Sequence, residues 1–377
     1  MSSSTGTVYR VTTFGESHGP GIGVVIDGCP ANFELDLENI QHELKRRRPG
    51  QSKLTTPRNE PDEFEILSGF YNGKTLGTSL AFFVRNTDMK STDYDRWSDV
   101  YRPSHADFTY HAKYTHRTPH GGGRASVRES IARVIAGSVA GQILKKELNL
   151  ETIAWVDSVG NIDADGFQEP PLDRNAVDES PVRCHNPNAS RRMTELIEQV
   201  KKDGDSVGGT IGVIVNHVPP GLGDPVFDKL EADLAKACLS IPACKGFESG
   251  SGFSGTRLRG SQHNDPFYLK PDQAKSPIPS VQTPTNFSGG IQGGISNGMP
   301  ILLRLAFKPT ATIRKNQNTV NEKGEEVILK AGGRHDPCVL PRAVPIVESM
   351  VNMVLMDAYL RQRALQPEWY KLIQKDY

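Results

Sequence analysis

Apolar positions follow two rhythms along this chain. Short runs bounded by glycine, proline and polar residues predict strands over 8–14, 22–27, 64–68, 79–85, 152–159, 209–218 and 301–307. Helical spacing of Leu37, Ile40 and Leu44 after Asp36 predicts a capped helix. It stops at Arg46-Arg47-Arg48 before Pro49-Gly50, so its end presents three cations to the loop 49–58. A long periodic segment, 127–148, carries Ile131, Val134, Ile135 and Ile143 with Ala132, Ala136, Gly137, Ala140 and Gly141 between them. That density of small residues predicts another element packed closely against it. Further helices are expected over 190–203, 226–239 and 344–365, and a hairpin with a Lys-Gly turn over 322–327. The order lacks a regular βαβ alternation, so a layered α+β fold is expected rather than a doubly wound parallel sheet. The Pro-, Ser- and Asn-rich stretch 266–288 reads as a linker or a functional loop.

Composition narrows the function. The chain has 377 residues, 36 % of them hydrophobic, with 36 Gly and 26 Pro, which fits many loops around a moderate core. Formal net charge is zero, which argues against nucleic acid or an anionic membrane as partner. Cations are concentrated instead: Lys45, Arg46, Arg47, Arg48, Lys53 and Arg58 fall in one stretch, as suits a small anionic ligand. Five scattered cysteines show no zinc or C-x-x-C spacing, so no metal site is expected and a reducing cytoplasm is the simplest compartment. The polar first ten residues carry no secretory signal pattern. The longest apolar runs read as far short of a membrane span.

Loops carry the candidate chemistry. In His120-Gly121-Gly122-Gly123-Arg124-Ala125-Ser126-Val127-Arg128, three glycines allow close backbone approach and Ser126 stands as a helix cap. Free N–H groups at a helix start, with guanidinium forks, suit an oxyanion such as phosphate. A solvated helix-entry loop would read the same way. Phe14-Gly15-Glu16-Ser17-His18-Gly19 places a histidine in a glycine-bracketed turn, a candidate general acid or a structural turn residue. In Arg102-Pro103-Ser104-His105-Ala106-Asp107 a histidine precedes an aspartate by two, without the G-x-S-x-G elbow of a hydrolase. The glycine-rich run 288–298 and Lys308-Pro309-Thr310-Ala311-Thr312 suit a second phosphate, but match neither a Walker A loop nor a dinucleotide fingerprint. Gly332-Gly333-Arg334-His335-Asp336-Pro337 sets a cation, an imidazole and a carboxylate side by side. Two phosphate-type sites suggest a cofactor phosphate and a phosphorylated or carboxylated substrate.

Long motifs then point to one family. FGESHG at 14–19, RRRPGQS at 46–52, RPSHADFTY at 102–110, GGGRASVRES at 121–130, SIPACKGFESGSGF at 240–253, GGIQGGISNG at 289–298, KPTAT at 308–312 and GRHDPCVLPRAVP at 333–345 together resemble the chorismate synthase family. The resemblance covers almost the whole chain, from Arg10 to about Arg363. It implies a single catalytic domain over 1–377, a β-α-β sandwich and a homotetramer. It also implies a carbon–oxygen lyase of the shikimate pathway, which serves aromatic amino acid biosynthesis. That enzyme converts 5-enolpyruvylshikimate 3-phosphate to chorismate by anti-1,4-elimination of phosphate, with reduced FMN.

By the same resemblance, Arg124, Ala125, Ser126, Pro242, Ala243, Gly293, Lys308, Pro309, Thr310, Ala311, Thr312 and Arg334 are expected at FMN. Arg47 and Lys53 are expected where the family gathers cations around substrate or NADP, with Arg128 a further candidate. His18 is implied as acid toward the departing phosphate, His105 as acid toward the flavin, and Asp336 as helper in removing the ring proton. Lys53 stands where many relatives carry Arg, which keeps the charge but loses the bidentate fork. Cys244 and Ser249 stand where aliphatic residues are expected, beside the proposed flavin loop. Whether NADPH is the reductant stays open at this point. So do two rival readings, a flavin oxidoreductase with net electron transfer and a non-catalytic anion-binding protein.

Overall fold

The computed structural model describes residues 3–48, 60–87, 97–118, 121–164, 170–171, 173–269, 278–331, 336–369 and 372. Two five-stranded antiparallel sheets enclose a layer of helices. The first sheet holds β1 (Ser4–Thr5), β2 (Arg10–Gly15), β3 (Gly21–Asp27), β4 (Phe64–Ser68) and β7 (Leu80–Arg85), in the order β1-β2-β3-β7-β4. A small hairpin, β5 (Phe70–Tyr71) and β6 (Lys74–Thr75), hangs from it. The second sheet holds β8 (Glu151–Val159), β9 (Ile162–Asp163), β10 (Gly209–Asn216), β11 (Cys244–Ser249) and β16 (Ile301–Phe307), in the order β11-β16-β10-β8-β9. Three more two-stranded hairpins decorate the loops: β12–β13 (Tyr268–Leu269, Val281–Gln282), β14–β15 (Ile291–Gln292, Ile295–Ser296) and β17–β18 (Asn316–Val320, Glu326–Lys330).

The helices are α1 (Leu37–Arg47), α2 (Asp107–Tyr114), α3 (Ser130–Leu148), α4 (Arg174–Asp178), α5 (Pro187–Lys202) and α6 (Leu230–Leu239). The single turns α7 (Gly252–Gly255) and α8 (Gly260–His263) and the long α9 (Leu340–Leu365) complete the set. Local chemistry explains their starts. Asp36 accepts from the Asn39 N–H at 2.9 Å and opens α1. Asn186 accepts from the N–H groups of Asn188 and Ala189, and Pro187 takes the first helical position of α5. The Asp357 carboxylate on α9 accepts three successive N–H groups, from Thr7, Val8 and Tyr9, which fastens the start of the chain onto the last helix.

The helix layer explains the small residues of the sequence. α3 packs on α9, the first sheet lies against α3, and the second lies against α9. A Cβ on Gly137 would sit 2.3 Å from the Ser349 Cα, and one on Gly141 would sit 2.7 Å from the Asn352 amide nitrogen. One continuous core runs through all three layers, from Val24 and Phe82 through Ile135 and Val347 to Val213 and Leu303. Trp155 and Ile214 form a second, smaller cluster with Val177 of α4. This is the expected α+β sandwich.

Some boundaries differ from expectation. The helix expected from 226 begins at Leu230, behind a Gly- and Pro-rich loop. The segment expected as one helix from 127 opens as a 3₁₀ turn, Val127–Glu129, before α3. α9 is 26 residues long and, by length and composition, apolar enough to cross a membrane, against the expectation of short apolar runs. Its apolar window is 83 % buried inside the protein, so here that apolarity fills the core between the sheets.

The α3–α9 contact yields a prediction with a defined sign. In an open helix, Gly137→Ala would stabilise by about 1 kcal/mol. Here the added methyl meets backbone, and overpacking costs about 1–3 kcal/mol before any gain is counted. Gly137→Ala is therefore expected to lower the midpoint of chemical denaturation. An unchanged or raised midpoint would contradict the packing described.

Candidate active site

Three helix ends converge at one edge of the sandwich: the C-terminal end of α1, the 3₁₀ turn leading into α3, and the start of α9. Between them lies a cavity of about 400 Å3. The turn before α2, the loop before β11 and the segment after β16 close its remaining sides. Of the residues expected from sequence, Arg47, His105, Ala125, Ser126, Arg128, Pro242, Ala243, Lys308, Pro309, Thr310, Ala311, Thr312 and Asp336 all line it. Segments far apart in sequence thus meet around a single space. Lys53 and Arg334 lie outside the described residues.

Charge in this cavity is unbalanced by design of the chain. Arg47 is 1 % exposed, and its Nη2 donates to Asp62 Oδ2 at 2.5 Å. Among the described residues its Nε and Nη1 have no hydrogen-bond partner. Asp62 also accepts from Arg128 Nη1 at 2.5 Å, and Arg128 pairs further with Glu60 and with Asn86 Oδ1 at 2.9 Å. Arg342 donates from Nη1 to Asp336 and from Nε to the Arg47 carbonyl. Burial pushes the Arg47 guanidinium down to about 10, and the like charges of Arg342 and Arg128 act the same way against the attraction of Asp62. A buried N–H left without an acceptor costs about 1–3 kcal/mol. An anion in the cavity would supply that acceptor. The Thr310 hydroxyl, also buried and without a partner among the described residues, adds a second unused donor.

Arg46, the neighbouring residue, has a different fate. Its Nη1 meets Glu43 at 2.7 Å and Glu348 at 2.5 Å, and its Nε meets Asp178 at 2.9 Å. The expected row of three cations facing one loop is therefore split. Arg46 joins α1 to α9 through paired charge, while Arg47 faces the cavity.

His105 is held from behind. Its Nδ1 lies 2.9 Å from Asp107 Oδ1. Arg102 grips the same carboxylate from Nε and Nη2, each at 2.7 Å, and its Nη2 also donates to the Gly121 carbonyl at 3.0 Å. Burial would raise the Asp107 carboxyl, but the hydrogen bonds from Arg102 and His105 hold it well below the usual carboxylate range. Lys308 Nζ donates to the Ser104 carbonyl at 2.7 Å, and the Lys308 N–H donates to the Ala243 carbonyl at 3.0 Å. Burial and Lys245 lower the Lys308 ammonium. Ser104 and Ala243 adopt φ of 58° and 70°, left-handed conformations that a side chain disfavours, directly at the cavity wall.

Three expected residues stand apart from this lining. His18 lies against Gly121, where a Cβ would sit 2.3 Å from its imidazole, and its Nδ1 lies 3.0 Å from Ser17 Oγ. Arg124 directs its fork to the Gly15 carbonyl and to Thr13 of β2. It borders an adjoining space of about 640 Å3 that shares His105, Gly122 and Ala125 with the first. The Arg124–Ser126 segment thus reaches the first cavity through Ala125 and Ser126. Gly293 sits in the β14–β15 turn at φ 63°, facing open space. The glycine-rich run therefore lies apart from Lys308–Thr312 within this chain. Cys244 is buried in the core, and the buried Ser249 hydroxyl has no partner among the described residues.

Sequence reasoning did not single out Arg102, Lys245 or Arg342 as cavity residues. All three fall inside the motifs RPSHADFTY, SIPACKGFESGSGF and GRHDPCVLPRAVP, which was the available signal. Glu60 and Asp62, which balance Arg128 and Arg47, sit in a Pro-flanked loop that carried none.

Comparison with known proteins agrees with this geometry. The chorismate synthase family model matches residues 9–360. Chorismate synthase of Leptospira biflexa serovar Patoc is 57 % identical over 371 residues, covering 98 % of this chain and 97 % of the relative. That of Prochlorococcus marinus strain SARG is 54 % identical over 375 residues, covering 98 % and 100 %. A crystal structure of a chorismate synthase superposes with a TM-score of 0.74 at 31 % identity, covering 95 % of this chain and 93 % of that one. Match length, identity and fold agree, and the chain belongs to the chorismate synthase family.

Proposed function

We propose that the 400 Å3 cavity and the 640 Å3 space that adjoins it together hold reduced FMN and 5-enolpyruvylshikimate 3-phosphate, and that the chain acts there as a carbon–oxygen lyase releasing phosphate and chorismate. The observation that carries this reading is Arg47, buried beside two further arginines with two guanidinium nitrogens that have no acceptor among the described residues. The elimination is redox-neutral: phosphate departs with its C–O electron pair, a ring proton leaves, and the C–H electrons enter the new double bond system. Reduced FMN, when bound, supplies electron density to the allylic system that no side chain here can supply.

The chain's own groups do the rest. Arg47, Arg128 and Arg342 spread the charge of the anionic substrate in a water-poor site, where such donors are worth most. Ala125, Ser126, Pro242, Ala243 and the segment from Lys308 to Thr312 form the wall offered to the flavin, with Thr310 Oγ1 as an unused donor. His18, which lies against Gly121 of the adjoining space, takes the role of acid to the departing phosphate by family resemblance, and His105 holds a proton at the cavity wall. Asp336, paired with Arg342, is the carboxylate nearest in role to the leaving ring proton. Lys53, Arg334 and Gly293 complete the set by family resemblance. NADPH as reductant, a homotetramer, a cytoplasmic setting and one catalytic domain over 1–377 belong to the same reading. The five buried, unpaired cysteines agree with a reducing compartment.

Two substitutions test this division. Thr310→Val removes one hydroxyl donor to a charged group, worth about 1.5–3 kcal/mol. It is expected to weaken FMN binding about tenfold or more in a fluorescence titration; undiminished affinity would remove Thr310 from the flavin site. Arg47→Met is expected to raise the substrate KM or lower kcat about a hundredfold or more, while FMN affinity changes less than about threefold. Unchanged steady-state constants would contradict the role of Arg47 as the central anion contact.

A further inference from the structure

The Asp107 carboxylate and the Arg102 guanidinium are both buried behind one histidine. We propose that they are positioning residues which fix the ring and the tautomer of His105. This rests on the reading of His105 as a proton-holding group.

An ionised carboxylate can only accept a hydrogen bond. The 2.9 Å contact therefore places a proton on His105 Nδ1 whether the ring is neutral or charged. Nε2 remains as the nitrogen that gains or gives a proton at the cavity. Arg102 makes the arrangement rigid. Its fork occupies both Asp107 oxygens, and its backbone N–H donates to Asp107 Oδ2 at 3.0 Å. The carboxylate thus has neither the freedom nor the protonation state to offer His105 a different bond. A further Arg102 bond, to the Gly121 carbonyl, ties in the glycine that lies against His18.

The test is a double-mutant cycle read in kcat, KM and flavin affinity. Asp107→Asn is expected to lower kcat at least about tenfold, a share of the 10²–10⁴ that a general acid contributes, with substrate KM and flavin Kd within about twofold. In a His105→Ala background the same change is expected to cost less than about twofold, because its effect passes through the missing ring. A full loss in both backgrounds, or no loss while His105→Ala is crippled, overturns the proposal. If His105→Ala itself turns over normally, it is the reading of His105 that fails. Asp107→Asn strips a buried arginine of its charge partner and could prevent folding. ¹⁵N spectra of histidine-labelled wild-type protein with FMN then decide, with His105 assigned from the His105→Ala spectrum. A protonated Nδ1 in the neutral ring supports the proposal, and a bare Nδ1 overturns it.

Discussion

The close approach of α3 and α9 organises this protein. The two helices between the sheets approach closely because Gly137 and Gly141 leave room for Ser349 and Asn352. With the helices so near, their starts fall at the same edge of the sandwich, and α1 delivers its last turn to the same place. The cavity is what three helix ends and three loop segments leave between them. Its position is a consequence of the layer packing, and its chemistry comes from what each end carries.

Buried charge is used in two ways, and adjacent residues show both. Arg46 is surrounded by Glu43, Glu348 and Asp178, so its burial is compensated and it holds α1 on α9. Among the described residues Arg47, one residue on, has one acidic partner and lies near two other guanidinium groups. That arrangement costs stability, because buried donors left without acceptors are unfavourable even when the charge itself is paired. The left-handed Ser104 and Ala243 belong to the same pattern of local cost at the cavity wall. An anionic ligand would supply the acceptors that Arg47 lacks among the described residues.

Much of this was legible in the sequence. Punctuated apolar runs located β4 and β16 residue for residue, and Asp36 announced α1. Small residues between the apolar positions of α3 announced a close neighbour, though not which one. Glycine- and histidine-bearing motifs marked most of the cavity. Other features depend on distance and had no local signal. Nothing in Arg46-Arg47 says which side chain meets carboxylates from α4 and α9, because those partners lie far along the chain. The fork of Arg124 looked available until β2 was seen to supply its acceptors. The grip of Arg102 on Asp107 had no signal either, because it depends on how the turn before α2 folds back. The apolarity of α9 looked unremarkable run by run, because its meaning lies in having a sheet and a helix on its sides.

The central claim is that this cavity brings flavin and a phosphorylated substrate together for a reaction without net electron transfer. Counting phosphate released per flavin tests it most directly. The protein would be given one reducing dose of FMN under strict anaerobic conditions, then excess 5-enolpyruvylshikimate 3-phosphate. The account predicts many equivalents of phosphate and chorismate per flavin, with the flavin still reduced at the end. One equivalent of product per flavin oxidised would contradict it.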